Sequence, residues 1–493
     1  MTEVSVGMFD LGAADGKKEA RRPNFESLFY LEDGYYDDLT SGEKYIVVGR
    51  KGTGKSILIR YFKLQMEKSK SSYCELITIP SFMRQKLKTF NYDEIAQEEI
   101  EEFWRYVFLK ELANMITSNK TNALSFLKKR NINKFEEQEY YTAQSKQIES
   151  IDELNSKLSY SDINLSSTTN SKEAIQFTPS KYYEILDDLS KLIFSYLKKT
   201  PMNYYLLFDD IDELENKISN RDQFKQICLG FLQTIESIND ELYEIGNDSR
   251  IITTFRLDLL EQINSDANNL SKIIYDSSVT IEWFSPLSKE EPEQTQLAKM
   301  ILHKIRNSVP DFLLLNDEEL FNTVFPSGKN QNNCLEYIML RSFGRPRDII
   351  MFLQTYQRLY KKDTCFDYNK FGNCLRTYSK WFYTELLNEI NLSEIKEDLL
   401  SSIELLKKMQ LKQFSTEKFE LFYRNNKKQY GFRIKNPRIA LSTLYKLGVL
   451  GNVTFRNKSK TWNGNSFFDK FYKVQNFFPY AIPIVLDNEP PRM

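Results

Sequence analysis

The sequence predicts an α/β domain whose parallel sheet is built around a phosphate-binding loop, followed by a helical lid-like region and a C-terminal winged helix. Three observations carry this reading. Gly49-Arg50-Lys51-Gly52-Thr53-Gly54-Lys55-Ser56 fits G-x-x-x-x-G-K-[ST] at every fixed position. A second apolar run, Tyr204 to Phe208, delivers the carboxylates Asp209, Asp210, Asp212 and Glu213 at its end. Short β-branched runs alternate with helical stretches, the pattern of a parallel sheet covered on both faces.

The 493 residues are enough for two to four domains with a sizeable core. With 41% hydrophobic and 27% charged residues the composition is that of an ordinary globular chain, so fibrous and disordered classes are excluded. No stretch approaches the roughly 18 apolar residues of a membrane helix. The first 25 residues hold no apolar signal region, so no membrane partner or secretion is expected. Cys74, Cys228, Cys334, Cys365 and Cys374 are far apart, and His303 is the only histidine. A structural zinc site is therefore not expected, and the thiols read as reduced core residues of a cytoplasmic protein. Charge is uneven: from residue 401 onward 17 Lys and Arg face 6 Asp and Glu, a balance of +11 within a chain of net charge −1. A basic end on an acidic body points to an anionic partner there.

Four regions follow along the chain. Residues 1–40 form a polar N-terminal segment. Residues 41–285 form the α/β core, with strands at Lys44 to Val48, Tyr73 to Ile79, Tyr204 to Phe208, Ile251 to Phe255 and Val279 to Trp283. A helical insert interrupts it at about 93–200, and its Asn-, Ser-, Lys- and Glu-rich middle, about 118–175, reads as helical or partly disordered. Residues 286–395 read as helical. Residues 396–493 pair helical runs (Ile403 to Met409, Pro437 to Leu447) with a strand pair near Val449 to Phe455 and Phe467 to Val474, the sequence pattern of a winged helix.

The loop chemistry needs this spacing. Glycines let backbone N–H groups approach phosphate oxygens, Lys55 brings a positive charge to the β/γ oxygens, and the Ser56 hydroxyl is a magnesium ligand. The helix that begins there adds its N-terminal dipole. A chance Gly-rich turn would lack the buried strand before it and the helix after it. The expected ligands are thus ATP and Mg²⁺. Asp209 is placed to hold the metal, usually through water, and Asp210 to orient or deprotonate the attacking water. Many ATPases use the longer Glu at that point, so Asp212 or Glu213 could share the role. A cluster of acids capping a helix is the blander alternative.

The motif pair resembles the AAA+ and STAND-like ATPases, especially bacterial members near the origin-recognition-like branch, over about residues 30–390. That resemblance implies a sensor 1 position at Thr254 or Arg256, at the end of Ile251-Ile252-Thr253-Thr254-Phe255-Arg256. It implies a sensor 2 arginine in Gly344-Arg345-Pro346-Arg347-Asp348, with Arg347 as the sensor and Arg345 as runner-up. It also implies an ATP-hydrolysing switch or motor whose winged helix meets duplex DNA through Pro437 to Leu447, its flanking Lys427, Lys428, Arg433, Lys435 and Arg438, and a wing with Arg456, Lys458 and Lys460. Members of this group often appear in bacterial defence or mobile-element settings. A nucleotide-gated scaffold binding a protein partner or itself, without DNA, remains the competing class. A small-molecule kinase is a third, disfavoured by the long helical region and terminal winged helix.

Overall fold

The computed structural model describes residues 4–79, 82, 99–119, 180–452 and 471–474, with short breaks at 32–33, 217, 219, 265–269, 284–291, 328–333, 340, 343, 392, 394, 412 and 448. These residues form two compact units. One comprises Ala20–Glu26 and Leu31–Glu282; the other comprises Met1–Glu19, Ser27–Tyr30 and Trp283–Met493.

The first unit is an α/β domain on a five-stranded sheet of order β2-β3-β4-β1-β5. The strands are β1 (Ile46–Gly49), β2 (Ser72–Thr78), β3 (Asn203–Asp209), β4 (Arg250–Arg256) and β5 (Ser278–Thr280). Every pairing is parallel. The predicted α/β fold class is therefore correct. Strand ends differ by one to three residues. Gly49 extends β1 because β4 still runs beside it, pairing Gly49 with Arg256. The edge strand β5 stops at Thr280 because its partner β1 leaves the sheet for the loop. β1, β3 and β4 are buried at nearly every position, which is why they read as continuous apolar runs rather than alternating ones.

Helix α1 (Lys55–Met66) leaves the loop and packs against β1, β2 and β4. Three longer helices, α2 (Ile100–Ser118), α3 (Ser180–Leu197) and α4 (Arg221–Glu244), belong to or follow the predicted insert. The insert's polar middle lies outside the described residues. Phe208 of β3 meets Phe108 of α2 at 5.2 Å and Phe231 of α4 at 5.8 Å, and Trp104 meets Phe231 at 4.8 Å. Burying each such ring contributes roughly 1.5–3 kcal/mol. The Trp104 indole N–H is satisfied by the Ile227 carbonyl at 3.0 Å. Asn239 of α4 holds both main-chain groups of Ile251, each at 2.9 Å, which ties α4 to β4.

The second unit is helical through α5 (Gln296–Arg306), Asp317–Val324, Cys334–Met339, α6 (Pro346–Leu359) and α7 (Phe371–Asn391). Thr295 caps α5, Asn316 and Glu319 form a capping box, and Pro346 opens α6. The N-terminal residues 4–19 belong to this unit. Their main-chain carbonyls accept from a row of α6 side chains: Arg347 to Ala14, Gln354 to Gly12, and Gln357 to Val6 and Phe9. Glu19, almost fully buried, pairs with Lys304 of α5 at 2.6 Å.

The unit ends in α8 (Lys396–Met409), α9 (Thr416–Tyr430) and α10 (Pro437–Lys446), with an antiparallel sheet β6-β8-β7 of Gln413–Ser415, Phe471–Val474 and Leu450–Asn452. Sequence reading missed α9 and β6. The helix buries only Phe419, so its apolar period is faint, and its clearest mark is the Ser415 N-cap on Lys418. Residues 453–470, which include the predicted wing arginine and lysines, lie outside the described residues.

One close helix approach in the α/β unit is testable. A Cβ on Gly230 of α4 would sit 2.4 Å from Ile100 Cγ2 of α2. Gly230→Ala should therefore destabilise by about 1–3 kcal/mol despite the better helix propensity of alanine, seen as a lower urea midpoint at unchanged slope.

Candidate functional site

The site lies where β1, β4 and β3 end side by side. Because β4 sits between β1 and β3, the residues at its C-terminal end stand between the Gly49–Ser56 loop and Asp209. This is where ligands of open parallel sheets bind.

The loop depends on its glycines. Gly52 and Gly54 have φ of 86° and 106°, which side chains rarely adopt. At Gly49 a Cβ would meet Thr53 Oγ1 at 2.5 Å. The loop also braces itself, since Thr53 Oγ1 donates to the Arg50 carbonyl at 2.9 Å. Lys55 and Ser56 open α1, where helix geometry leaves N–H groups without intrahelical acceptors. The Lys55 ammonium donates to the carbonyls of Gly49 at 2.9 Å and Arg50 at 3.1 Å, folding back across its own loop.

Asp209 is 1% exposed and accepts from three side chains on two elements. Its Oδ1 accepts from Ser56 Oγ of α1 at 2.9 Å and from Thr254 Oγ1 of β4 at 2.7 Å. Its Oδ2 accepts from Arg60 Nη1 at 2.7 Å, and the same Nη1 donates to the Ser56 carbonyl at 2.7 Å. The sequence-predicted Ser56, Asp209 and Thr254 are thus brought into direct contact. Arg60 was missed; its signal was the i, i+4 spacing from Ser56, which puts both on one helical face.

A second group surrounds Arg256. Its Nε and Nη2 donate to the two Asp258 carboxylate oxygens at 3.0 and 2.5 Å, while Asp212 stands 3.6 Å from Nη1. Burial raises the Asp258 carboxyl, but the Arg256 guanidinium holds it below the usual carboxylate range. Asp258 was also missed, because it lies past the strand end at the start of a short helix. Burial pushes the Lys55 ammonium down to about 8, against the pull of Asp212 and, more weakly, Asp209 and Asp258; Arg256 adds to the fall. Asp210 has φ of 65°, in the left-handed region, and its carbonyl accepts from Glu213 N at 3.0 Å as the chain turns into a 3₁₀ helix at Ile211–Asn216.

The two remaining arginines belong to the helical unit. Arg347 donates to the Ala14 carbonyl at 3.2 Å and to Glu385 at 3.1 Å. Arg345 is buried and pairs with Asp348 at 2.9 Å and Glu389 at 2.7 Å. That second arrangement is an internal brace of the helical unit.

The depressed Lys55 has a consequence for stability. Below pH 8 both folded and unfolded chains carry its proton and the burial cost is fully present. Between about pH 8 and the ordinary lysine value of 10.5 the unfolded chain binds more protons, so stability rises with pH. Urea unfolding of the ligand-free protein should show this rise, and the difference between wild type and Lys55→Met should shrink across that window. A difference independent of pH would contradict the enclosed ammonium.

Comparison with known proteins adds a family to one segment. Residues 295–387, from the α5 cap into α7, match the family model described as the FunZ-associated C-terminal helical domain. No curated protein matches the chain. Among solved structures it is similar to the ORC1 protein of Aeropyrum pernix, determined in complex with DNA, at 11% identity and a TM-score of 0.38, with 94% of this chain and 95% of that one covered. It is also similar to Cdc6p of Pyrobaculum aerophilum at 12% identity and a TM-score of 0.29, with 93% and 96% covered. The segment at 295–387 is thus similar to a helical domain that accompanies FunZ proteins.

Proposed function

We propose that the chain is an ATP-binding, Mg²⁺-dependent P-loop ATPase of AAA+/STAND type that works as a nucleotide-controlled switch. The observation that carries this is the contact of Ser56, Asp209 and Thr254 at the mouth of a glycine loop, with Lys55 beside it. Ser56 Oγ and Asp209 Oδ1 are hard oxygen donors 2.9 Å apart, the donor set that suits Mg²⁺ better than a softer metal. Bound there, Mg²⁺ would offset charge on the β- and γ-phosphates. The residues Gly49, Arg50, Lys51, Gly52, Thr53, Gly54, Lys55 and Ser56 supply the cradle, and Lys55 turns from its own carbonyls to the phosphate oxygens. Thr254 positions Asp209, and Arg256, beside Asp212, is the residue that would meet charge developing on the third phosphate. Asp210 holds or deprotonates the attacking water from a backbone conformation that costs on the order of 1 kcal/mol and that aspartate tolerates better than most residues. Arg347 is the lid arginine of this reading, drawn from its Glu385 and Ala14 partners when it reports nucleotide.

Two variants separate binding from turnover. Lys55→Ala should abolish tight ATP binding in a fluorescent-nucleotide titration while the circular dichroism spectrum is kept. Asp210→Asn should bind ATP normally and lose about 10²-fold or more in phosphate release, since Asn accepts the left-handed backbone as well as Asp does. Normal turnover in that variant with collapse in Asp212→Asn or Glu213→Gln would move the role to those residues.

For the C-terminal part we propose duplex DNA as partner. Support comes from α10, whose cap Asn436 holds Arg438 N and Ile439 N and whose flanks expose Lys427, Lys428, Arg433, Lys435 and Arg438. The three helices and three antiparallel strands are the element set of a winged helix. One observation favours the second reading, a protein partner: the apolar side chains of Leu421 on α9 and Ile439 on α10 are each more than half exposed. Salt decides between them. DNA affinity should fall steeply with salt and weaken for all sequences alike in Lys435→Glu/Arg438→Glu. Absence of salt-sensitive DNA binding, with a changed mass of the same variant in light scattering, would favour the scaffold.

A further inference from the structure

Arg60 has no part in the binding scheme above, yet it touches both residues assigned to the metal. Its Nη1 lies 2.7 Å from Asp209 Oδ2 and 2.7 Å from the Ser56 carbonyl. The Arg60 side chain is 12% exposed and that of Asp209 1%. It stands four positions after Ser56 on α1, one turn on, so the helix itself sets its aim. We infer that Arg60 is the resident countercharge of the divalent-cation position: it neutralises Asp209 in the cation-free protein and limits how strongly a bound cation is rewarded there. This rests on the nucleotide reading given above.

The argument is electrostatic. A carboxylate with 1% exposure cannot be left without compensation, because desolvation of a lone buried charge is strongly unfavourable. Two hydroxyls, Ser56 and Thr254, supply hydrogen bonds on one oxygen but no charge. Arg60 supplies the charge on the other oxygen. Asp209 therefore never presents a full negative field to the phosphate side of the loop. This has two consequences for a polyanionic ligand. Without metal, the ligand meets a neutral pair in place of a bare carboxylate and binds more readily. With metal, the cation gains less from Asp209 because a fixed positive group stands on its far oxygen. Arg60 thus lowers the energetic coupling between nucleotide and cation, which fits a switch able to take up nucleotide over a range of cation levels.

A purely structural clamp would behave differently. Arg60 also holds the Ser56 carbonyl, so its loss should loosen the first turns of α1 and cost stability under either reading. Only the countercharge role changes the coupling between two ligands.

The experiment measures that coupling in the full-length chain. A fluorescent ATP analogue is titrated in EDTA and in saturating Mg²⁺, and the ratio of the two dissociation constants is compared across variants. Arg60→Gln keeps a neutral, shorter donor and removes the charge. Its affinity in EDTA should fall and its ratio should rise by about tenfold or more over wild type. Arg60→Lys keeps the charge, and its ratio should stay within about twofold of wild type. With Asp209→Asn as background, Arg60→Gln should no longer change the ratio. A wild-type protein that binds the analogue in neither condition would defeat the nucleotide reading and this inference with it. Binding in wild type with an unchanged ratio in Arg60→Gln, alongside a lower unfolding midpoint, would leave Arg60 a structural clamp and overturn the inference alone. Should Arg60→Gln fail to fold, a tenfold change of ratio in Arg60→Lys would overturn it equally.

Discussion

The arrangement of the site depends on one constraint: the Asp209 carboxylate is buried at the end of β3 and must be fully satisfied there. Its three side-chain donors come from α1 and β4, two elements that flank β3 in different ways. Moving any of them by an ångström would leave a buried charge with a missing bond, a loss of roughly 1–3 kcal/mol or more for a charged group. The carboxylate therefore works as a registration mark. It sets where the first turn of α1 sits relative to the sheet, and hence where the glycine loop points. The order of the strands serves the same end, since β4 lies beside β3 and its end brings Thr254 to Asp209.

Charge balance on the other side of the loop is set by a different rule. Lys55, Arg256, Asp212 and Asp258 form a compact group in which each cation faces at least one carboxylate. Burial opposes the Lys55 charge and the carboxylates restore part of it. A group so balanced can accept additional negative charge without rebuilding, because Lys55 needs only to exchange two neutral carbonyls for anionic oxygens. Preorganised dipoles and charges of this kind stabilise developing charge at little reorganisation cost.

Much of this was legible in the sequence where chemistry is local. The loop, Ser56, Asp209 and the β4 end could be named because their spacing is dictated by contiguous backbone. The parallel class followed from buried runs such as Tyr204 to Phe208. Arg60 and Asp258 were not legible, since an arginine on a helix and an aspartate after a strand are common and acquire meaning only from neighbours distant in sequence. The same holds for residues 4–19, whose place against α6 depends on main-chain carbonyls meeting Gln354 and Gln357. Backbone acceptors leave no trace in side-chain pattern. Helix α9 escaped for another reason: it buries one residue, so its apolar period is faint and the Ser415 cap is its clearest mark.

Arg345 and Arg347 show how two like residues in one motif are given different work by burial. Both stand at the start of α6, where a cation is disfavoured by the helix dipole and needs a carboxylate partner. Arg345 is enclosed, and Asp348 with Glu389 raise its already high proton affinity against the cost of burial. Both carboxylates answer a charge held inside the helical core, so this residue is committed to the fold. Arg347 keeps a fifth of its side-chain surface exposed and holds one carbonyl and one carboxylate, both over 3 Å away. Its bonds can be exchanged for another anion at small cost, because water can replace what it leaves. Of the pair, Arg347 alone has the loose footing that a residue responding to a ligand requires.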